Sequence, residues 1–342
     1  MAANERSETG DLDLLGLLAE RPQAFHVFQA LRIIEAAFAG RPRLGRSRRP
    51  AQDAVRLRQS VELAFQSSTV TEFAPPDGDR PGHLSNLFFG LFGPGGPLPL
   101  HITEYARDRL RNFDDSTIVG FADIFHHRMT GLLYRAWVSG EPAPSFDRPG
   151  DDPFAGYVAA FAGLRGAAFA DRDEMPDLAK LHFAGRLAHG PKNEEGLLAI
   201  LSAFFKVPCR IESFVGSWLT LDAGDRWQLG RPAGLGRSAS LGARVWSRQA
   251  KFRIRLGPVG LDGYRRLLPG GDSLGRLVAI VRNYAGDALD WDVNIILARG
   301  AAPPLKLGRQ GQLGWTTWLG ESPAEREVDD LYLRPLARAE AA

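Results

Sequence analysis

Cysteine, lysine and long apolar runs are scarce in this chain, and each shortage excludes a class of protein. The single cysteine, Cys209, excludes an intramolecular disulfide and makes a reducing cytoplasm the expected compartment. No apolar run approaches the roughly 20 residues that a membrane-spanning helix needs. Residues 1–15 are acidic and polar, whereas a secretory signal peptide is basic and then apolar. The sequence therefore predicts a cytoplasmic chain without a membrane span.

The overall charge gives little reason to expect a polyanionic partner. The 342 residues include 42 Lys and Arg against 40 Asp and Glu, for a formal net charge of +2. Only five of the basic residues are lysine, so the arginine content reflects a compositional bias as much as a function. A balance this close to neutral does not by itself indicate nucleic-acid binding.

One local cluster of basic residues, Arg41, Arg43, Arg46, Arg48 and Arg49, lies in a loop punctuated by glycine and proline. A solvated loop, contact with an acidic protein, and binding of RNA or a lipid head group remain open for this cluster. The first two are favoured, because no aromatic residue is interleaved to stack on bases.

The chain is organised around residues 83–140. Leu87 to Phe92 reads as a buried strand, and Gly93 to Pro99 reads as a loop stiffened by alternating glycine and proline. Two helices follow, and the second is predicted to begin in the run of N-cap formers from Asp114 to Thr117. Its apolar residues recur at helical spacing and predict a wide buried stripe with polar flanks: Ile118, Phe121, Ala122, Phe125, Met129, Leu132, Leu133, Ala136 and Trp137.

Large aromatic residues of this region are predicted to be core residues or anchors of an obligate interface, not a ligand-binding box. They are Phe88, Phe89, Phe121, Phe125 and Trp137.

Other parts of the first half alternate between helical and strand-like patterns. Helices are predicted over residues 11–20 and 22–39, strands around 55–57 and 63–65, and a further helix over 154–164. The first half therefore predicts a mixed helical and strand domain.

The second half contains an internal repeat. Leu197 to Leu201 is echoed by Leu277 to Val281, and each of these apolar helices leads into a β-rich segment, residues 210–221 and 289–298 respectively. Similar units at a fixed offset indicate two copies of one supersecondary module. A half-buried strand, residues 251–256, is predicted between the two modules.

Each module continues into an arm in which Leu-Gly pairs recur six residues apart. The pairs begin at Leu229, Leu235 and Leu241 in the first arm and at Leu307, Leu313 and Leu319 in the second. Glycine permits tight turns and close backbone approach, while each leucine supplies an apolar anchor. An ordinary surface loop and a partner-binding arm both remain open.

Tryptophan favours the second interpretation, because exposed aromatic residues are common interface anchors. The candidate protein-binding residues are Leu229, Leu235, Leu241, Trp246, Leu307, Leu313, Trp315, Trp318 and Leu319.

Residues 271–275, GDSLG, match the letters of a G-x-S-x-G nucleophile elbow. An elbow follows a buried strand, whereas the preceding residues 264–270 predict a short helix and a turn. Ser273 or Asp272 is therefore favoured as the N-cap of the next helix. The alternative is a hydrolase in which His182 or His189 serves Ser273 as the base.

Histidine and carboxylate residues offer a candidate metal site at His101, Glu104, Asp123, His126 and His127. No H-E-x-x-H motif or cysteine pair strengthens the pattern, and a helix cap explains His101 with Glu104. The prolines among residues 93–99 remove N–H donors that a phosphate-binding loop would need. The sequence therefore predicts no catalytic residue, metal or cofactor.

The chain resembles a known family in the run LFFGLFGPGGPLPLHITEYARDRLRNF and in FADIFHHRMTGLLYRAW that follows it. Weaker matches continue in order along the chain, among them FHVFQALRIIE, KLHFAGRLA, RIESFVGSWL, LLPGGD and LGWTTWLG. These motifs are similar to those of the TssG family, also called ImpH or VasB, which provides baseplate wedge subunits of type VI secretion systems.

That resemblance implies a structural, non-catalytic subunit of a contractile injection machine. Family members join two copies of TssF to trimers of the adaptor TssK, link to the sheath through TssE, and reach the inner membrane only through the secretion complex. No nucleic acid is implied. We expect an α+β fold with a wedge domain at 1–170, a first repeat module at 171–250, and a connecting strand with the second module at 251–342.

Overall fold

The computed structural model describes residues 14–65, 67–78, 80–228, 230, 232, 234, 237, 240–303, 311–318 and 326–338. The chain divides into two compact units, residues 1–155 and 156–342. Both units combine helices with a sheet, which confirms the predicted α+β class. The three-part division expected from the repeat remains a prediction.

The first unit contains a three-stranded sheet and six helices among its described residues, the last of which continues into the second unit. Its strands are β1 (Val55–Gln59), β2 (Val70–Ala74) and β3 (Gly82–Asn86). Its helices are α1 (14–20), α2 (Val27–Ala37), α3 (Leu100–Phe113), α4 (Thr117–Val138), α5 (Pro142–Phe146) and α6 (Pro153–Phe161).

The sheet of the first unit has the order β1-β3-β2, with β1 parallel and β2 antiparallel to β3. The strand predicted at 87–92 is wrong, since β3 ends at Asn86 and the chain then bends. The bend has a local cause: the Asn86 side-chain oxygen accepts a hydrogen bond from the Phe89 N–H at 2.9 Å. A side chain that satisfies a backbone donor in this way competes with continuation of the strand.

Two further expectations for the first unit need correction. The second helix starts at Val27, not at Pro22, because Pro22–Ala24 forms a separate 3₁₀ turn and His26 caps the helix by accepting from the Phe28 N–H. Residues 63–65 form no strand, and Phe65 is 96% exposed. The strand at 55–57 and the helix at 154–164 are confirmed as β1 and α6.

A buried ion pair lies beside the core of the first unit. The Arg43 guanidinium pairs with Glu35 at 3.4 Å and with Asp151 at 2.7 Å, and Tyr134 donates its hydroxyl to Glu35. The side chains of Arg43 and Glu35 are almost completely buried. Burial is the larger cause that raises the pKa of Tyr134, and the negative charge of Glu35 raises it further, so the phenol stays protonated and remains a hydrogen-bond donor.

The second unit contains a four-stranded sheet, a two-stranded ribbon and five further described helices. The strands are β4 (Cys209–Glu212), β5 (Ser217–Thr220), β6 (Arg244–Ser247), β7 (Lys251–Val259), β8 (Asp290–Leu297) and β9 (Val328–Leu333). The helices are α7 (Asp177–His182), α8 (Ala184–Ala188), α9 (Glu194–Phe205), α10 (Leu261–Leu267) and α11 (Asp272–Ala285).

The four-stranded sheet has the order β4-β7-β8-β9 and carries the main core. Apolar faces of α9 and α11 pack on it, including Ile200 and Leu201 from α9 and Leu277 and Ile280 from α11. The predicted strand at 251–256 is confirmed within β7. The two apolar segments that suggested a repeat are therefore parts of two corresponding helices, α9 and α11, which are buried in one core.

Candidate interaction surfaces

The internal repeat is visible as two helix–strand–arm–strand segments. In the first, α9 leads into β4, and residues 213–250 form an arm before β7 returns antiparallel to β4. In the second, α11 leads into β8, and residues 298–327 intervene before β9 returns antiparallel to β8. The parallel pairing of β7 with β8 joins the two segments into one sheet. Each arm therefore leaves from a paired hairpin at an equivalent place in the topology.

The first arm carries a ribbon in which β5 and β6 pair only with each other. Trp218 lies directly opposite Trp246 in the register, and the two rings meet edge to face with centroids 5.3 Å apart. Trp218 is 62% exposed and Trp246 is 53% exposed. A cross-strand aromatic pair stabilises a ribbon, but a two-stranded ribbon alone is marginally stable in water.

Both faces of this ribbon are apolar. Successive strand residues point to opposite faces, so Leu219 and Val245 lie on the face away from the two tryptophans. These two side chains are also exposed. A ribbon with apolar side chains exposed on both faces, as seen among the described residues, is typical of a protein interaction site.

The four candidate residues predicted for the first arm have different outcomes. Trp246 lies in the exposed tryptophan pair, and Leu241 is 78% exposed. Leu229 and Leu235 lie outside the described residues. Sequence reasoning missed Trp218, although the alternation Ser217-Trp218-Leu219-Thr220 opposite Arg244-Val245-Trp246-Ser247 was a usable hairpin signal.

The second arm places its tryptophans differently. Trp315 and Trp318 pack against the main core, and the Trp318 ring lies 6.0 Å from that of Tyr264. The Tyr264 hydroxyl donates to the Trp315 carbonyl at 3.1 Å. Leu313 is 94% exposed, which makes it the most accessible of the described candidates in this arm. Leu307 and Leu319 lie outside the described residues.

Helix α4 differs from the prediction, because the middle of its inner face carries polar side chains that bind the backbone. His126 accepts from the Leu91 N–H at 3.0 Å, and its other ring nitrogen lies 2.9 Å from Asp123. His127 accepts from the Leu57 N–H, and Asp123 accepts from the Gln59 N–H, both at 3.1 Å. These hydrogen bonds hold α4 against β1 and against the loop after β3. They also give partners to backbone N–H groups that would otherwise be buried without one.

The predicted buried stripe of α4 is therefore wrong for most of its members. Phe121, Phe125, Met129 and Leu132 are exposed, as is the neighbouring Ile124, while Ala122 is the one stripe residue that is buried. The buried positions besides it are Val119, His126, Thr130, Gly131 and Tyr134. For Phe121 and Phe125 the structure excludes a place in the core of the isolated chain and leaves the interface alternative.

The candidate metal residues are used for structure. Among the described residues, no cluster of three or more His, Cys, Asp or Glu side chains could hold a metal ion. His127 pairs with Asp53 at 3.0 Å in addition to its bond from Leu57. The cap predicted for His101 with Glu104 is not formed, since α3 begins after Pro99 without a side-chain cap.

Ser273 lies in the first turn of α11 and not on a nucleophile elbow. The helix upstream of it, α10, is confirmed, but the N-cap position is Gly271 and no side chain caps α11. The cap predicted for Ser273 or Asp272 is therefore wrong. No hydrogen bond joins Ser273 to His182 or His189 in the part of the chain that the structure describes.

The arginine loop is only partly a solvated loop. Arg43 is buried in the ion pair with Glu35, and Arg41 donates to the Asp53 carbonyl. Arg46 reaches Asp151 at 3.2 Å. A main role of this cluster is thus to join the loop to the core of the first unit.

Charged side chains cross the four-stranded sheet on the face away from the main core. Asp292 on β8 pairs with Lys251 at 2.7 Å and with Arg253 at 2.6 Å, both on β7. Arg253 also lies over the Tyr332 ring on β9. Burial opposes ionisation of Asp292, but hydrogen bonds from Arg253 and Lys251 outweigh it and hold its pKa below the ordinary value. This network fastens the two repeat segments to each other.

The described helices include none with both the length and the apolar character required to cross a bilayer.

One family model and two solved structures match this chain. Residues 21–320 match the family model described as type VI secretion, TssG. A chain in the baseplate complex from the type VI secretion system shares the fold at a TM-score of 0.64 and 19% identity, over 96% of this chain and 94% of that chain. A chain in the cryo-electron-microscopy structure of the TssK-TssF-TssG baseplate subcomplex aligns at a TM-score of 0.52 and 21% identity, over 60% of this chain and 88% of that chain. No curated protein matches.

Proposed function

Because this chain belongs to the TssG family of type VI secretion, we propose that it is a non-catalytic subunit of the baseplate wedge. In this role it joins two copies of TssF to trimers of the adaptor TssK and connects to the sheath end through TssE. It works in the cytoplasm on an assembly that reaches the inner membrane through other subunits. The observation that carries the proposal is the family match over residues 21–320, supported by the fold shared with chains of two type VI baseplate structures.

The two arms are the proposed contacts with the adaptor, each holding one TssK trimer. One asymmetric chain presents the same kind of contact twice only if it carries two similar surfaces. The arms leave from equivalent hairpins, β4 with β7 and β8 with β9, and this equivalence supports the assignment. The anchors are the exposed apolar residues of the arms, Trp246, Leu241 and Leu313 among them.

Two tethered contacts raise the overall affinity through effective concentration without either contact being tight. We expect unequal affinities for the two trimers, because the tryptophan pair of the first arm is exposed whereas the tryptophans of the second arm pack against the main core. The first arm supplies the stronger contact, since exposed tryptophan is a frequent hot spot.

Separate arm deletions test this proposal. Residues 213–250 are replaced by a short hairpin turn between β4 and β7, and in a second variant residues 298–327 are replaced by a turn between β8 and β9. Both closures are feasible because Glu212 lies opposite Arg253 and Leu297 lies opposite Val328 in the sheet. Native mass spectrometry of each variant, co-expressed with TssF and TssK, counts the bound trimers.

The wild-type chain is expected to hold two TssK trimers, and each deletion one, with TssF retained. If either deletion left two trimers bound, or removed both from a folded chain, the assignment of one trimer to each arm would be refuted. If the wild-type chain bound neither TssF nor TssK, the proposed wedge function itself would fail.

A further inference from the structure

The outer face of α4, defined by Phe121, Ile124, Phe125, Met129 and Leu132, is an apolar surface that stays exposed among the residues that the structure describes. These side chains are between 37% and 67% exposed. They span 12 helical positions, or 11 steps, which is about 16 Å along the helix axis at 1.5 Å per residue. A contiguous apolar face of this kind on a folded chain is typical of a protein interaction site.

Rotation of α4 about its axis cannot hide this face. The opposite side of the helix accepts hydrogen bonds from the backbone N–H groups of Leu57, Gln59 and Leu91. Turning the helix inward would break these bonds and leave buried donors unpaired, which is costly. A close approach of Gly131 to Gly45 also fixes the rotation, since a Cβ at Gly131 would lie 3.2 Å from the Gly45 Cα. The outward direction of the apolar face is thus built into the fold.

The chemistry of the face limits what covers it. A helix has no free backbone donors or acceptors along its length, so α4 cannot extend a partner's sheet and must be recognised through side chains. Its exposed residues recur three and four positions apart, which matches the side-chain rows of a second helix packed alongside.

Two arginines share the exposed surface of α4 with this face. Arg128 and Arg135 are exposed, and each donates to the Gly45 carbonyl, at 3.2 and 3.1 Å. Within the described residues, neither guanidinium has a carboxylate at ion-pair distance. Two arginines beside an apolar stripe are complementary to a stripe flanked by carboxylates.

A second copy of this chain does not satisfy these constraints. A two-fold contact of α4 with itself would place the middle of the stripe opposite its own equivalent. The two Arg128 side chains would then lie near each other without a carboxylate between them, and like charges in an interface are unfavourable.

We propose that the outer face of α4 packs against an amphipathic α-helix of a different protein, whose apolar stripe is flanked by acidic residues next to Arg128 and Arg135. The source of that helix in the baseplate wedge rests on the proposed function. The face belongs to the first unit, so its residues are different from those of the two arms.

Photo-cross-linking in cells that assemble the native secretion system tests the contact without presupposing the partner. The photoreactive residue p-benzoylphenylalanine replaces Phe125, and in the control it replaces Phe65, which is equally aromatic and 96% exposed but lies off the helix. We expect position 125 to cross-link to a helical, acid-flanked segment of another chain, and position 65 not to reach that segment.

Two variants then test the energetics in the purified complex. Phe121→Ser combined with Phe125→Ser should weaken binding of the cross-linked partner by at least about 30-fold, as expected for lost hot-spot anchors. The unfolding midpoint of the isolated chain should not fall, because both rings are exposed there. Arg128→Glu should weaken binding, and changing the facing acidic residue of the partner to Arg should restore it.

Cross-links confined to this chain or to a second copy would overturn the inference, as would a double variant that binds normally or a charge reversal that is not rescued. If the cross-linked, charge-swappable helix belonged to a protein outside the baseplate, the inference would stand and the proposed wedge function would be refuted. If the wedge assembled normally with the outer face disrupted, the inference would fall and the wedge function would stand.

Discussion

The substitution Gly216→Ala tests the arm assignment without changing a residue that contacts a partner. The Trp246 ring lies on the backbone of Gly216, and a Cβ at position 216 would overlap the Cζ2 of that ring and lie 2.8 Å from its Cε2. The ring must therefore move. Because Trp246 is 53% exposed, it can swing towards solvent and leave its contact with Trp218.

The cost to the stability of the chain should be small. Losing an aromatic pair removes about 0.5–1.5 kcal/mol, whereas replacing glycine by alanine at a permissive position returns about 0.4–1 kcal/mol through the unfolded state. The two effects largely offset each other, so the free energy of unfolding should change by less than about 1 kcal/mol. Displacing a hot-spot anchor costs about 2 kcal/mol or more of binding energy, or roughly 30-fold in affinity for the adaptor.

The assay combines urea unfolding, the circular-dichroism exciton signal of the tryptophan pair, and titration of the adaptor trimer against the chain. We expect a lost exciton signal and weakened adaptor binding at nearly unchanged stability. Gly224→Ala is the matched control, since a Cβ at that arm position meets none of the described residues within 4 Å. Normal adaptor affinity despite a lost exciton signal would refute the anchoring role of the tryptophan pair.

Three further predictions concern the rest of the chain. Asp292→Asn leaves Lys251 buried without a counter-charge and should cost about 3–5 kcal/mol of stability in urea unfolding. Because the pKa of Asp292 in the folded chain lies below its ordinary value of 3.8, the wild type should lose this stabilisation as the pH falls through and below 3.8. The variant should lack this part of the pH dependence. Ser273→Ala removes no cap and should leave assembly and secretion intact, so an assembled but inactive wedge would reopen the hydrolase interpretation. Gly45→Ala should destabilise the chain in thermal unfolding by more than the about 1–3 kcal/mol expected for Gly78→Ala. Both glycines have positive φ, but a Cβ at position 45 would lie 2.6 Å from the Gly131 carbonyl oxygen, whereas a Cβ at position 78 meets none of the described residues within 4 Å.

The elements best predicted from the sequence are those buried within their own chain. The apolar segments of α9 and α11 and the strand β7 all contribute side chains to the main core, so their periodicity reports the geometry of this fold directly. The repeat was visible for the same reason, since each copy must supply an equivalent helix and strand to one sheet.

The strand and cap errors have local causes that periodicity does not contain. At β3, the Asn86 side chain bends the backbone before the apolar run that resembled a strand begins. At α11, the N-cap is the glycine before Asp272, so polar residues with good capping propensity lie one and two positions too late.

The arms show a different limit. Trp246 and Trp318 have the same residue type in comparable arms, yet one is exposed and the other packs on Tyr264. That difference depends on a contact between residues more than 50 positions apart in sequence. Local patterning therefore identifies an arm with apolar anchors but does not determine which anchors face outward.

Helix α4 shows the most informative failure. Its apolar spacing predicted burial, and the inference from spacing to burial assumes that the covering surface belongs to the same chain. The middle of the inner face instead carries His126, His127 and Asp123, which accept hydrogen bonds from backbone donors of the sheet and of the loop after it. An apolar stripe that is strong enough to predict a buried helix, on a helix whose opposite face is fixed by hydrogen bonds, is the combination from which we infer a covering helix of another protein. Spacing alone therefore predicts that a face is to be covered, but not whether the cover comes from the same chain.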